Sequence, residues 1–140
     1  MKNKKLTIGI SLRVVESTDY NEKRDALSQD WSQFFERLGI NPLLIPNTIK
    51  DVSSFLEDMQ VEGLFLSGGD NIGDHQDRDE TEQKIINYCL EKKIPLIGIC
   101  RGMQVINAFF GGGIETLENS KHVGDPHSVS LNKNAAEFLI

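Results

Sequence analysis

The sequence predicts an α/β fold, a doubly wound and mostly parallel sheet with helices on both faces. Two observations carry this. Short apolar runs of strand length alternate with longer segments of helical period, the order expected of repeated right-handed βαβ units. The run from Ile94 to Ile99 is apolar almost throughout, which suits a strand covered on both faces.

The elements follow in order. Leu6 to Leu12 reads as the first strand. From Asp25 to Leu38 the residues Leu27, Trp31, Phe34, Phe35 and Leu38 recur at three- and four-residue spacing, and Gly39 is the stop, so a helix with one buried face is predicted. Pro42 to Pro46 is a short strand. A helix opened by Asp51 and marked by Val52, Phe55, Leu56 and Met59 comes next, and Val61 to Ser67 is the third strand. A polar loop with Gly68, Gly69, Asp70 and Gly73 leads to a helix from about Glu80 to Lys92, with Ile85, Ile86, Cys89 and Leu90 as its stripe. After the strand Ile94 to Ile99 a helix runs from Arg101 to Phe110. Beyond Gly111 to Gly113 the pattern weakens, leaving His127 to Leu131 as a further strand. In an open parallel sheet ligands bind beyond the carboxyl ends of the strands, so the loops after Ser67 and Ile99 are expected to lie side by side.

At 140 residues, with 39% hydrophobic and 26% charged residues and four prolines, one globular domain spanning residues 1–140 is expected. No apolar run approaches the ~20 residues that span a bilayer. The basic N-terminal residues precede a strand-like stretch with no small-residue cleavage site, so a cytoplasmic location is expected. The net charge of −6 argues against nucleic acid and anionic membranes, which are held by Lys and Arg, but not against a small anionic ligand held by local donors. Cys89 and Cys100 fall in different predicted elements, with neither metal spacing nor a disulfide framework. That fits a reducing compartment and one working thiol.

Gly98-Ile99-Cys100-Arg101-Gly102 has the layout of a nucleophile elbow, with glycines two residues to either side of the nucleophile between a strand and a helix. The unpaired N–H groups and dipole of a helix start favour an anion, so Cys100 is expected to be more reactive than an ordinary cysteine. The N–H of Arg101 would point where a tetrahedral oxyanion develops, with Gly69 a candidate second donor. Against this stand a buried structural cysteine at a tight turn and, for Gly68 and Gly69, a plain turn between strand and helix. Cys89 lies on an apolar stripe and is assigned to the core.

The stretches LFLSGGDNIG, from Leu64 to Gly73, and PLIGICRGMQVINAFFGGG, from Pro95 to Gly113, resemble the class I glutamine amidotransferase superfamily. RDETE at Arg78 to Glu82 points to its γ-glutamyl hydrolase branch, peptidase C26, in which a C-R-G-x-Q signature follows the strand. The resemblance runs from Leu6 to about Leu131 and implies a flavodoxin-like fold. By the same resemblance Cys100 is the nucleophile, and Gly69 and Arg101 give oxyanion-hole amides. Gly68, Gln104 and Arg78 bind the substrate, with Gln104 on the glutamyl head group and Asp79 and Glu82 as supports. His127 supports the site without acting as the base. Gln104 as a solvated helix residue and Arg78, Asp79 and Glu82 as a charged helix start are the plainer readings of the same residues.

The general base of the family is a histidine followed two residues later by an acid, in a segment after this strand. No such pattern occurs here, and the apolar, uncapped ending NKNAAEFLI leads us to expect a sheet incomplete at the C-terminus, from a protein near 200 residues long. The implied activity is hydrolysis of a small-molecule γ-glutamyl amide without metal or cofactor. IGISLRV, RDALSQDW and PLLIPN further resemble capsule-biosynthesis members acting on γ-glutamyl-CDP-amidate. A glutaminase feeding a synthetase partner, a homodimer, and a non-catalytic scaffold domain stay open beside it.

Overall fold

The computed structural model describes residues 4–116 together with Pro126, Ser128 and Ser130. Strands β1 (Thr7–Ser11), β4 (Asn41–Ile45), β5 (Gly63–Leu66) and β6 (Leu96–Gly98) form one sheet in the order β4-β1-β5-β6, and each neighbouring pair is parallel. Numbered within the sheet, this is the 2-1-3-4 order of flavodoxin-like folds, which places the topological switch point between β1 and β5. Helices α1 (Gln29–Leu38), α2 (Val52–Asp58), α3 (Gln76–Lys92) and α4 (Arg101–Phe109) connect or follow these strands.

Strand alternation divides the core in two. Ile8 and Ile10 of β1 pack with Phe35 of α1 on one face, joined by Trp31 and Phe65. On the other face Leu64 and Leu66 of β5 meet Leu56 of α2, Ile85, Ile86 and Cys89 of α3, and Val105 of α4. The doubly wound sheet expected from the sequence is therefore present. Gly39 caps α1 in the left-handed region at φ 68°, and the Asp51 carboxylate accepts from the Ser54 N–H at 2.9 Å to open α2.

Three local expectations are corrected. The helix expected from Asp25 begins at Gln29 behind a Ser28 cap, because residues 23–26 are a strand: β2 (Arg13–Glu16) and β3 (Lys23–Ala26) form an antiparallel hairpin. The helix expected from Glu80 begins four residues earlier at Gln76. Its first turn, Gln-Asp-Arg-Asp, has no apolar residue for a periodicity argument to find, and is anchored by buried Arg78 instead. Among the described residues β6 is an edge strand: Ile97 and Ile99 are 49% and 43% exposed on the face that α1 covers elsewhere, and Leu90 of α3 is also exposed. The strand expected over His127 to Leu131, and His127 itself, lie outside the described residues.

Candidate active site at Cys100

Cys100 caps α4 at φ 53°, ψ −112°, a backbone conformation that strongly disfavours a residue with a Cβ. Strain of this kind persists only where the surroundings fix it, and the flanking glycines show how they do so. A Cβ on Gly98 would lie 2.5 Å from the Gly102 carbonyl, and one on Gly102 would lie 2.1 Å from the Leu66 carbonyl oxygen. Only glycine lets the end of β6, the start of α4 and the end of β5 come this close. The thiol is left exposed at the strand-to-helix junction.

The loop after β5 lies against it, as the fold argument expected. A Cβ on Gly68 would sit 3.3 Å from Cys100 Cβ and 3.9 Å from its Sγ, so Gly68 is the neighbour of the thiol. Gly69 follows at φ 89°. Arg101 is the first residue of α4, and an N–H at that position has no intrahelical acceptor. Gln104 is exposed one turn beyond Cys100, and its N–H donates to the Cys100 carbonyl at 3.3 Å. Beside Gly68 and Gly69 opens a recess of about 220 Å³, lined also by Arg13, Ser28, Trp31 and Ile99.

The second cysteine behaves differently. Cys89 is buried in the core beneath α3, and burial pushes its thiol up to about 11.

The charged groups are where the sequence reading was least complete. Arg78, expected to bind substrate and grouped with Asp79 and Glu82 beside the site, is 0% exposed behind the loop after β5. Its guanidinium donates to the Ser67 and Gly68 carbonyls at 3.0 Å each, to Asp70 Oδ2 at 2.8 Å and to Glu82 Oε1 at 3.1 Å, so it shapes the loop from behind. The side chain of Arg101, for which no role was expected, is 2% exposed and is paired with Glu82 and Asp79. Ser11 at the end of β1 closes the network. Its Oγ donates to Glu82 Oε1 at 2.8 Å and accepts from the Ser67 N–H at 3.0 Å. With Arg13 reaching Asp70 at 3.8 Å, three arginines balance three carboxylates. That balance is the condition under which charges are buried at tolerable cost.

Burial alone would raise the Asp70 carboxyl. The Val14 N–H at 3.0 Å, the hydrogen bond and charge of Arg78, and the charge of Arg13 outweigh it and hold the group below its ordinary value. Among the described residues no three His, Cys, Asp or Glu side chains are grouped to hold a metal ion.

The family model of peptidase C26 matches residues 7–136. The chain belongs to the peptidase C26 family. It is 35% identical over 133 residues to the γ-glutamyl-CDP-amidate hydrolase of Campylobacter jejuni, covering 90% of this chain and 64% of that protein. Similarity extends to the glutamine-hydrolysing GMP synthase of Plasmodium falciparum, at 32% identity over 74% of this chain and 20% of that one. A glutamine-hydrolysing GMP synthase chain of Methanocaldococcus jannaschii is 30% identical over 61% of this chain and 41% of its own length. The chain thus spans less than two thirds of the length of these relatives. The parallel sheet of this C26 chain fits the class I glutamine amidotransferase fold. No helix among the described residues is long and apolar enough to cross a membrane.

Proposed function

We propose that the protein is a cysteine hydrolase that cleaves the γ-glutamyl amide bond of a small molecule and releases glutamate. The observation that carries this is the strained, exposed Cys100 at the head of α4 with the Gly68-Gly69 loop against its sulfur. In this reading the Cys100 sulfur attacks the γ-carbonyl carbon, and the resulting oxyanion takes hydrogen bonds from the N–H groups of Arg101 and Gly69. Collapse expels the amine and leaves a glutamyl thioester, which water hydrolyses. Gln104 contacts the glutamyl head group, and Gly68 gives the substrate room beside the thiol. His127 is assigned a supporting role.

The likeness to the Campylobacter hydrolase supports γ-glutamyl-CDP-amidate as the substrate, and the resemblance of IGISLRV, RDALSQDW and PLLIPN to capsule-biosynthesis members supports a place in capsular polysaccharide phosphoramidate synthesis. The two free cysteines accord with a cytoplasmic location. Kinship with glutamine-hydrolysing synthases supports a second reading, a glutaminase that hands ammonia to a synthetase. Glutamate release from γ-glutamyl-CDP-amidate and from glutamine, measured on the full-length gene product and its Cys100→Ala variant, tests both. Turnover of the first substrate, abolished in the variant, is expected; turnover retained by a folded Cys100→Ala protein would remove the mechanism.

A further inference from the structure

Glu82 is fully buried on α3, and its two carboxylate oxygens serve different walls of the site. Oε1 accepts from Arg78 Nε at 3.1 Å and from Ser11 Oγ at 2.8 Å, while Oε2 accepts from Arg101 Nη1. Arg78 grips the Ser67 and Gly68 carbonyls, the residues immediately before Gly69. Ser11 Oγ holds the Ser67 N–H. Arg101 is the residue directly after the thiol, and its other nitrogen is tied to Asp79 one turn earlier on α3. A single carboxylate therefore joins the loop beside the thiol to the first turn of the helix that carries it. Without its charge, two buried guanidinium groups would face each other across that junction and push the two walls apart.

We propose that Glu82 is a positioning residue that sets the separation between the Gly69 and Arg101 amides, and so the geometry of the oxyanion hole, without itself meeting substrate. The proposal rests on the reading of Cys100 as an acyl-accepting nucleophile. A glutamine at this position is nearly isosteric but offers one acceptor oxygen where the carboxylate offers two, and it presents N–H donors to a guanidinium. It cannot bridge both arginines.

Two electrophiles separate positioning from general damage. Acylation of Cys100 by p-nitrophenyl acetate forms the S–C bond through a tetrahedral oxyanion and breaks the ester C–O bond to release p-nitrophenolate. Alkylation by iodoacetamide displaces iodide in one step and develops no oxyanion. In Glu82→Gln, acylation of Cys100 read by peptide mass spectrometry should fall about 10- to 100-fold. Alkylation should stay within about twofold of the parent. Circular dichroism checks the fold. Should Glu82→Gln not fold, Asp79→Asn, which loses the charged anchor of Arg101 but keeps one oxygen to accept from the Gly73 N–H as Asp79 Oδ2 does at 2.9 Å, should show the same selective loss at about 3- to 10-fold. Acylation unchanged, or falling in step with alkylation, overturns the assignment of Glu82. A parent chain whose ratio of acylation to alkylation is no higher than that of free N-acetylcysteine would instead sink the nucleophile reading on which it rests.

Discussion

Gly102→Ala sets two physical effects against each other at the point where the elbow is built. On helix propensity alone the substitution should stabilise α4 by about 1 kcal/mol, since glycine is the poorer helix former. The geometry says the reverse. The new Cβ would lie 2.1 Å from the Leu66 carbonyl oxygen, 2.6 Å from its carbonyl carbon and 2.7 Å from its Cβ. These separations fall short of ordinary contact by roughly 1 Å, and the atoms concerned belong to a strand at the centre of the sheet, not to a side chain that can swing away. Helix α4 must move off β5. Overpacking costs about 1–3 kcal/mol, and a clash with backbone belongs at the upper end. A net loss of about 2 kcal/mol lowers the melting temperature of a domain this size by roughly 5–10 °C. The same displacement, near 1 Å at the nucleophile, should slow acylation of Cys100 by about 100-fold. The assays are a thermal melt by circular dichroism and the p-nitrophenyl acetate reaction, with Gly113→Ala as the control, because a Cβ there meets nothing within 4 Å. A Gly102→Ala protein that melts at or above the parent temperature and acylates normally would refute the close approach on which the elbow depends.

Two further expectations test the supporting structure. Phe35 is 0% exposed with its ring 5.6 Å from both Trp31 and Phe65, so Phe35→Ala should cost about 3–5 kcal/mol in a denaturant melt, and a loss under about 1 kcal/mol would contradict its place in the core. Asp70 has a folded pKa below its ordinary 3.8, so its charged pairings stabilise the fold fully above that value and are lost as the pH falls through the lower folded value. The stability gap between the parent and Asp70→Asn should therefore be widest near neutrality and shrink as the pH is lowered below about 4; a gap that stays constant from neutrality into acid would show that Asp70 is not held by its charge.

Much of the sheet was legible because its strands are short apolar runs and its helices carry apolar residues at helical spacing. The elbow was legible because its chemistry is local: Gly98, Cys100 and Gly102 sit within five residues, and their spacing alone states the turn. What stayed hidden was either polar or distant in sequence. The β2-β3 hairpin is written largely in Arg, Glu, Lys and Asp, with Val14 its one buried valine, so nothing alternates strongly enough to mark strands. The first turn of α3 offered no apolar residue. The Arg78–Glu82 pair is a local i, i+4 contact and could have been read as a surface ion pair, yet its burial depends on Ser11, Ser67 and Arg101, which the sheet brings in from elsewhere. RDETE drew attention to these residues without disclosing that Arg78 works from behind the loop. Only the fold shows that.

The central claim, that Cys100 is the nucleophile for a γ-glutamyl group, is tested most directly by reacting the folded protein with the glutamine analogue diazo-oxonorleucine and mapping the adduct by peptide mass spectrometry. The account predicts a single adduct on Cys100, competed by a γ-glutamyl substrate, absent in Cys100→Ala, with Cys89 untouched because its thiol is buried and held near 11. Labelling of Cys89 at the same rate, or an adduct that persists in Cys100→Ala, would contradict it.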